Sequence, residues 1–264
     1  MPVSVEPSGR GRFTDVRRVD ETGSTNTDLL AAARAGEPEG IVLVAGHQTA
    51  GRGRLDRMWQ APPGSSLLVS VLCRPALPPS RAHLVTVAAG LAAADAVEEV
   101  AGTRPSLKWP NDVVVETADG TRKLAGLLAE SVVEGAKLAA VVVGMGMNVR
   151  WAQPLPDELA STATAVNHTA GRDVAVDDVL GAWLGAFDGR YEALLAEGGI
   201  RATAEAHRAA CSTLGRRIRA ELADGTIDGQ ALDVDEDGHL VLDAGGTRRT
   251  VAVGDVIHLR PAPD

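Results

Sequence analysis

The chain has 264 residues, 45% of them hydrophobic and 23% charged, with a formal net charge of -9. That length accommodates one large domain and a small one, and the acidic balance argues against a general nucleic-acid binder, whose phosphate contacts favour a basic surface. No run of about 18 apolar residues offers a membrane span, and Met1–Arg10 reads as a short flexible lead without a secretory pattern, so the expected location is cytoplasmic.

Val16–Val19 is expected to form a first short strand. Thr27–Arg34 follows as a helix ending at Gly36, and Thr25 with Asp28 resembles a capping box that places Ser24, Thr25 and Asn26 at the helix entrance. Short polar side chains there can cap the helix or bind a ligand, and both readings stand. Gly40–Ala45 is an apolar, β-branched run that reads as a buried strand. It leads into Gly46–Arg54, continuing to Trp59, where Arg52, Arg54 and Arg57 set three permanent cations within six residues. Guanidinium forks match phosphate and carboxylate oxygens, and glycine lets backbone approach a ligand closely. A cationic clamp for a small anion is one reading; a solvated glycine-rich loop is the plainer one. The run is neither the GxxxxGK[ST] phosphate loop nor a dinucleotide GxGxxG in its strand–turn–helix setting.

Ser66–Leu72 is the next strand, and His83–Val100 a long alanine-rich helix with Leu84, Val87, Leu91 and Ala94 on one stripe. His83 reads as ordinary. Val113–Thr117 and Lys123–Glu130 suggest a hairpin turning at Asp119-Gly120, with Lys108, Asn111 and Asp112 gathered near one end and Lys123 returning toward them. Lys108, Lys123 and Lys137 are the only lysines among 26 basic residues. A retained lysine hints at a place that needs a compact ammonium, although an isolated lysine is usually solvated. Leu138–Val149 is another buried strand, running through Gly144-Met145-Gly146-Met147 to Asn148; the methionines read as core filler.

Ser161–Gly171 reads as a polar connection, and Val176–Glu197 as a helix whose Trp183, Phe187 and Tyr191 share one apolar face. Arg201–Ala210 is a shorter helix. From about Ser212 the pattern changes to short strands at Arg217–Leu222, Gly225–Val234, His239–Asp243, Arg249–Val253 and Gly254–Leu259, the signature of a compact β module. Asp235-Glu236-Asp237 fails the EF-hand register and reads as a solvated turn. Cys73 and Cys211 read as buried free thiols in a reducing compartment. No HExxH, CxxC or nucleophile elbow is present, so the chemistry is expected to rest on cations and backbone donors.

Taken together, Gly23-Ser-Thr-Asn26, Gln48–Arg54 with Trp59, Lys108-Trp-Pro-Asn-Asp112, Lys123-Leu-Ala-Gly126 and Gly144-Met-Gly-Met-Asn148 resemble the biotin protein ligases in type and order. The resemblance implies an α/β (α+β) catalytic domain over 1–212, with a mixed sheet and packed helices, followed by a small SH3-like β-barrel over 213–264. It implies activation of biotin with MgATP to biotinyl-5'-AMP plus pyrophosphate. Biotin then passes to one lysine of a biotin carboxyl carrier domain of a biotin-dependent carboxylase. Fewer than 25 residues precede the Ser-Thr-Asn motif, so the resemblance is to the monofunctional type without an N-terminal DNA-binding domain. Monomer or weak homodimer is expected, with no nucleic-acid or membrane partner.

Residue by residue, the resemblance assigns Ser24, Thr25, Asn26, Gln48, Gly51, Arg52, Gly53, Lys123 and Gly126 to biotin. It assigns Arg54, Arg57, Trp59, Lys108, Asn111 and Asn148 to ATP. Lys123, Arg52 and Arg54 would stabilise charge on the phosphoryl oxygens, and Asp112 would position or deprotonate the acceptor amine. No protein-held metal is implied, Mg2+ arriving with ATP. The chain departs from the family at Leu55-Asp56, where another glycine or basic residue is common. Lipoate ligases share the catalytic fold but would need a long apolar acyl pocket, and a non-catalytic carrier-binding protein is the rival of another class.

Overall fold

The computed structural model describes residues 11–55, 57–222, 225–252 and 255–258. The Met1–Arg10 lead, Asp56 and both ends of the Gly254–Leu259 strand lie outside them. Two sheets organise the chain. The first has seven strands in the order β1-β2-β3-β7-β6-β5-β4, comprising β1 (Asp15–Thr22), β2 (Ile41–Gln48), β3 (Ser66–Cys73), β4 (Ser106–Lys108), β5 (Asp112–Thr117), β6 (Gly120–Glu134) and β7 (Lys137–Asn148). β1 runs parallel to β2 and the other neighbours are antiparallel, giving the mixed sheet that was expected.

Helices cover both faces. α2 (His83–Ala101) and α5 (Val176–Leu195) belong to the main core on one face, with Val69, Val71, Val141, Val143 and Met145. Trp183, Phe187 and Tyr191 are fully buried there, and Phe13 packs against the last two. α1 (Thr25–Arg34) covers the opposite face through Leu29, Leu30 and Ala33, against Leu43, Leu72 and Val142. β3 is buried along its whole length because both faces are covered. Glu39 ties the periphery together, accepting from Arg74 N, Arg12 and the Tyr191 hydroxyl. Burial pushes its carboxyl up, but those donors outweigh burial and hold it below the ordinary range. Cys73 and Cys211 are free and buried, as expected.

The connection over 161–171 is more structured than its polarity suggests. α3 (Asp157–Ala160) and α4 (Val166–Ala170) flank a stretch that pairs with β6 at Lys123↔Ala163, and Ala163 and Ala165 join a small core with Trp151 and Leu155. Periodicity could not show this, because the burial comes from single small residues between polar ones.

After α6 (Gly199–Ala210), the second sheet is antiparallel in the order β11-β10-β9-β8-β12, from β8 (Arg217–Leu222), β9 (Gly225–Val234), β10 (Leu240–Ala244), β11 (Thr247–Val251) and β12 (Asp255–His258). Its core holds Ile218, Ala220, Ala231, Leu240, Leu242 and Val251, together with Trp109 from the larger sheet's β4–β5 turn. Among the described residues β11 and β12 are its edge strands. The Asp235–Asp237 turn is not simply solvated: Arg81 contacts Glu236 and Asp237, and a Cβ at Gly238 would meet His83.

Candidate active site

The cleft lies on the face of the large sheet that carries α1, beyond that helix's N-terminus. Register explains its floor. Ser70, Gly144 and Leu128 stand side by side on β3, β7 and β6, and Leu68, Gly146 and Gly126 form the next row. The glycines leave gaps in the side-chain layer, and two side chains fill them. A Cβ on Gly144 would collide with Asn26 Oδ1, and one on Gly146 with the Trp59 indole. The alternation that reads as ligand presentation is therefore first a matter of room for Asn26 and Trp59. Volume in the cleft amounts to about 410 Å3.

The Ser24–Asn26 segment enters from above. Ser24 holds the N-cap position without capping the helix by its side chain, and Asp28 accepts from Thr22 Oγ1 at 2.6 Å, so the expected capping box does not form. Thr25 is bound by Gln48 Oε1, at 2.8 Å from its N–H and 3.1 Å from its hydroxyl, and lies 2.7 Å from Ser70 Oγ. Asn26 donates to Leu128 O and Glu130 Oε2 and accepts from Ser70 Oγ. Thr25 and Asn26 are thus held by protein partners. Ser24 Oγ and Gln48 Nε2 remain the donors suited to a polar ligand at this end.

The arginine run is a small hairpin rather than an irregular loop. Arg52 pairs with Met58, Gly53 N donates to Arg57 O at 2.7 Å, and Trp59 N donates to Gly51 O at 3.0 Å. Leu55 turns the tip at φ 53°, a left-handed conformation that disfavours a branched residue. Arg52 is paired with Glu130 at 3.0 Å and Arg57 with Glu221 at 4.0 Å. A Cβ on Gly51 would press on Trp59 O at 2.5 Å, which explains a glycine there without ligand contact.

Lys123 faces the cleft because β6 carries a bulge. Val113 pairs with Ala125 and Val114 with Lys123, leaving Leu124 as the extra residue, fully buried in the main core. Strict alternation would put Lys123 and Gly126 on opposite faces; the bulge brings both to the cleft. Thr162 O and Thr164 N bond the Lys123 backbone at 2.7 and 2.9 Å. Its ammonium lies 2.7 Å from Asp112 Oδ1 and 5.5 Å from the Trp59 ring centroid. Asn111 Nδ2 donates to Leu127 O at 2.6 Å, bracing the turn after the cis Trp109–Pro110 bond.

Every residue expected at the site lines the cleft except Gly51 and Asn148. Asn148 is buried, and its Nδ2 donates to Thr164 O at 3.0 Å, so it supports the segment that holds Lys123. The sequence reading missed Trp109 and the Glu221, Val256 and Ile257 wall contributed by the small sheet, which line the cleft, and also Glu130 and Ser70, which hydrogen-bond to Asn26. Trp109 bonds across to that sheet's region through Gly238 O and Thr213 Oγ1. An aromatic inside an otherwise polar motif was the available signal for an anchor; Glu130 gave none, since a strand glutamate is commonly solvated.

Residues 19–148 match the Biotin/lipoate A/B protein ligase family and residues 213–259 the Biotin protein ligase C terminal domain. The chain is 38% identical over 248 residues to a biotin--[acetyl-CoA-carboxylase] ligase of Mycobacterium tuberculosis, covering 92% of this chain and 88% of that one. It is 32% identical over 241 residues to the bifunctional ligase/repressor BirA of Bacillus subtilis, covering 90% and 72%. Among solved structures, biotin protein ligase from Aquifex aeolicus in complex with biotin and ATP superposes with a TM-score of 0.77 at 26% identity, covering 94% of this chain and all of that one.

Proposed function

The chain belongs to the biotin protein ligase family, and we infer from its site that it activates biotin with ATP and transfers it to a lysine of a carboxylase carrier domain. The observation that carries the reading is one cleft holding Arg52, Arg54, Arg57, Lys108 and Lys123 beside the N-terminus of α1, which the Ser24 side chain does not cap. Biotin is an anion with a polar ureido ring, and ATP brings further negative charge. Their reaction needs cations more than it needs a base.

In the first step a biotin carboxylate oxygen attacks the α-phosphorus of ATP, and pyrophosphate leaves with the bonding electrons. The carboxylate is already ionised near neutral pH, so the residues' task is to align two anions and stabilise charge on the phosphoryl oxygens. Lys123, its ammonium beside Asp112 and the Trp59 ring in the cleft, is suited to the α-phosphate. Arg54, Arg57 and Lys108 suit the leaving phosphates, with Trp59 covering the intermediate. Ser24 and Gln48 give the ureido group the hydrogen bonds its burial requires. Gly53 and Gly126 keep backbone close to the ligand.

Asp112 and the Asn111 amide oxygen are hard oxygen donors beside the phosphate-binding cations, a set that fits Mg2+ delivered with its phosphates. Bound there, the ion would neutralise phosphate charge. In the second step the acceptor amine attacks the acyl carbon and AMP leaves. Asp112, held by Lys123, is placed to receive the amine's proton. Closing the arginine hairpin shields the mixed anhydride from water.

No described helix is long and apolar enough to cross a membrane. We place the protein in the cytoplasm, acting as a monomer or weak homodimer without nucleic acid, with a boundary near 212–213 between catalytic region and small sheet. Mass spectrometry of a biotin carboxyl carrier domain incubated with this protein, biotin, ATP and Mg2+ tests the reading. One biotinyl adduct on one lysine is expected; an unmodified carrier after long incubation with folded protein contradicts it.

A further inference from the structure

Glu130 stands between two parts of the site that the sequence read separately. Its Oε1 accepts from Arg52 Nη1 at 3.0 Å and its Oε2 from Asn26 Nδ2 at 3.0 Å. Donor directions are fixed by chemistry. An amide oxygen cannot donate, so Ser70 gives its proton to Asn26 Oδ1 at 2.7 Å. Ser70 then has no second proton, so the single Thr25 hydroxyl proton goes to it across the 2.7 Å contact, and Gln48 Oε1 is left to the Thr25 N–H at 2.8 Å. Both Asn26 amide protons are used, on Leu128 O and on Glu130. A continuous series, Thr25–Ser70–Asn26–Glu130–Arg52, runs from the buried end of the cleft to the arginine hairpin.

An exposed carboxylate holds an arginine weakly, because both long side chains must be ordered for a screened attraction. Glu130 differs in that Asn26, only 4% exposed, already fixes its rotamer. Gly144 secures the arrangement in turn, since any Cβ there would displace the Asn26 amide. With its rotamer fixed, Glu130 orients Arg52 better than a freely rotating carboxylate would.

We propose that Glu130 is a positioning residue that couples occupancy of the ureido end of the cleft to the placement of Arg52 and its hairpin. The proposal rests on biotin being the ligand of this cleft. When biotin sits against Gln48 and Thr25, the series is stiffened and Arg52 is held across the opening. Without the carboxylate, biotin still binds at the floor but no longer orders the hairpin.

Glu130→Gln keeps the size and removes the charge. Trypsin cuts after Arg52, Arg54 and Arg57, so the rate of cleavage within 52–58 reads the hairpin directly. Biotin is expected to protect the wild-type hairpin, and Glu130→Gln to lose most of that protection while keeping its melting temperature. Biotinyl-5'-AMP is expected to dissociate about tenfold faster from the variant, and Arg52→Gln to accelerate dissociation less in that background than in the wild type, as for two partners of one interaction. Wild-type protection in Glu130→Gln, or accelerations that multiply in the double variant, would overturn the proposal. Should Glu130→Gln not fold, Ser70→Ala breaks the series between Thr25 and Asn26; it is expected to lose part of the protection, and undiminished protection overturns the proposal equally. A wild-type protein that biotin neither protects nor drives through pyrophosphate exchange would defeat the functional reading instead.

Discussion

Lys123 reaches its task through a single extra residue on β6. The lysine's scarcity was visible in the sequence, and so was its return toward Asp112. The bulge at Leu124 was not, because an added residue in a strand is recognisable only against its partner's register. Burial of Leu124 on the far face is what turns the ammonium inward. Lys123→Ala is expected to lower biotin-dependent adenylation about 10²- to 10³-fold, the usual consequence of removing a charge-stabilising donor. Lys123→Arg is not expected to restore it, since a planar fork does not replace a compact ammonium 2.7 Å from Asp112. Single-turnover formation of biotinyl-5'-AMP measures this; a Lys123→Ala rate within threefold of wild type would remove the lysine from the chemistry. At the same scale, Asn148 is buried with its Nδ2 on Thr164 O, a hydrogen bond that no motif could announce.

Among the elements, β7 and the arginine hairpin depend on each other. The strand itself was legible from Leu138–Val149, and the hairpin's charges from Arg52, Arg54 and Arg57. Their contact was not, since it needs the depth of an indole lying on Gly146 and Gly126. Gly146→Ala is expected to expel Trp59, with a stability loss of about 1–3 kcal/mol, typical of overpacking. The protein reports this by itself. Trp109, Trp151 and Trp183 are 3%, 8% and 0% exposed, so added quenching of tryptophan fluorescence by acrylamide comes from Trp59. An emission and quenching profile identical to wild type would show that the indole does not lie on the strand.

For the whole molecule, the joint between the two sheets matters as much as either core. The small β module was legible from its turns and short alternating runs. Its attachment was not, because it depends on Trp109 reaching Gly238 O and on a turn that looked merely acidic packing near Arg81 and His83. Behind that joint lies His207, 5% exposed on α6. Burial first, then His83 and Arg208, push its imidazole down to about 4 from 6.5. The unfolded chain therefore takes up this proton first. The contribution is complete above pH 6.5 and is lost as pH falls toward 4, amounting to about 3 kcal/mol at most. Glu39, with its depressed carboxyl, adds a further loss at lower pH in the same direction. Urea unfolding at pH 7 and pH 4.5 is expected to show a smaller difference for His207→Leu than for wild type. Equal differences would mean that His207 titrates alike in both states.

The central claim is that this cleft joins biotin to the α-phosphate of ATP, and biotin-dependent exchange of labelled pyrophosphate into ATP tests it most directly. With Mg2+ present, exchange is expected with biotin and not with lipoate. Exchange with lipoate alone, or none with either from folded protein, would contradict the account.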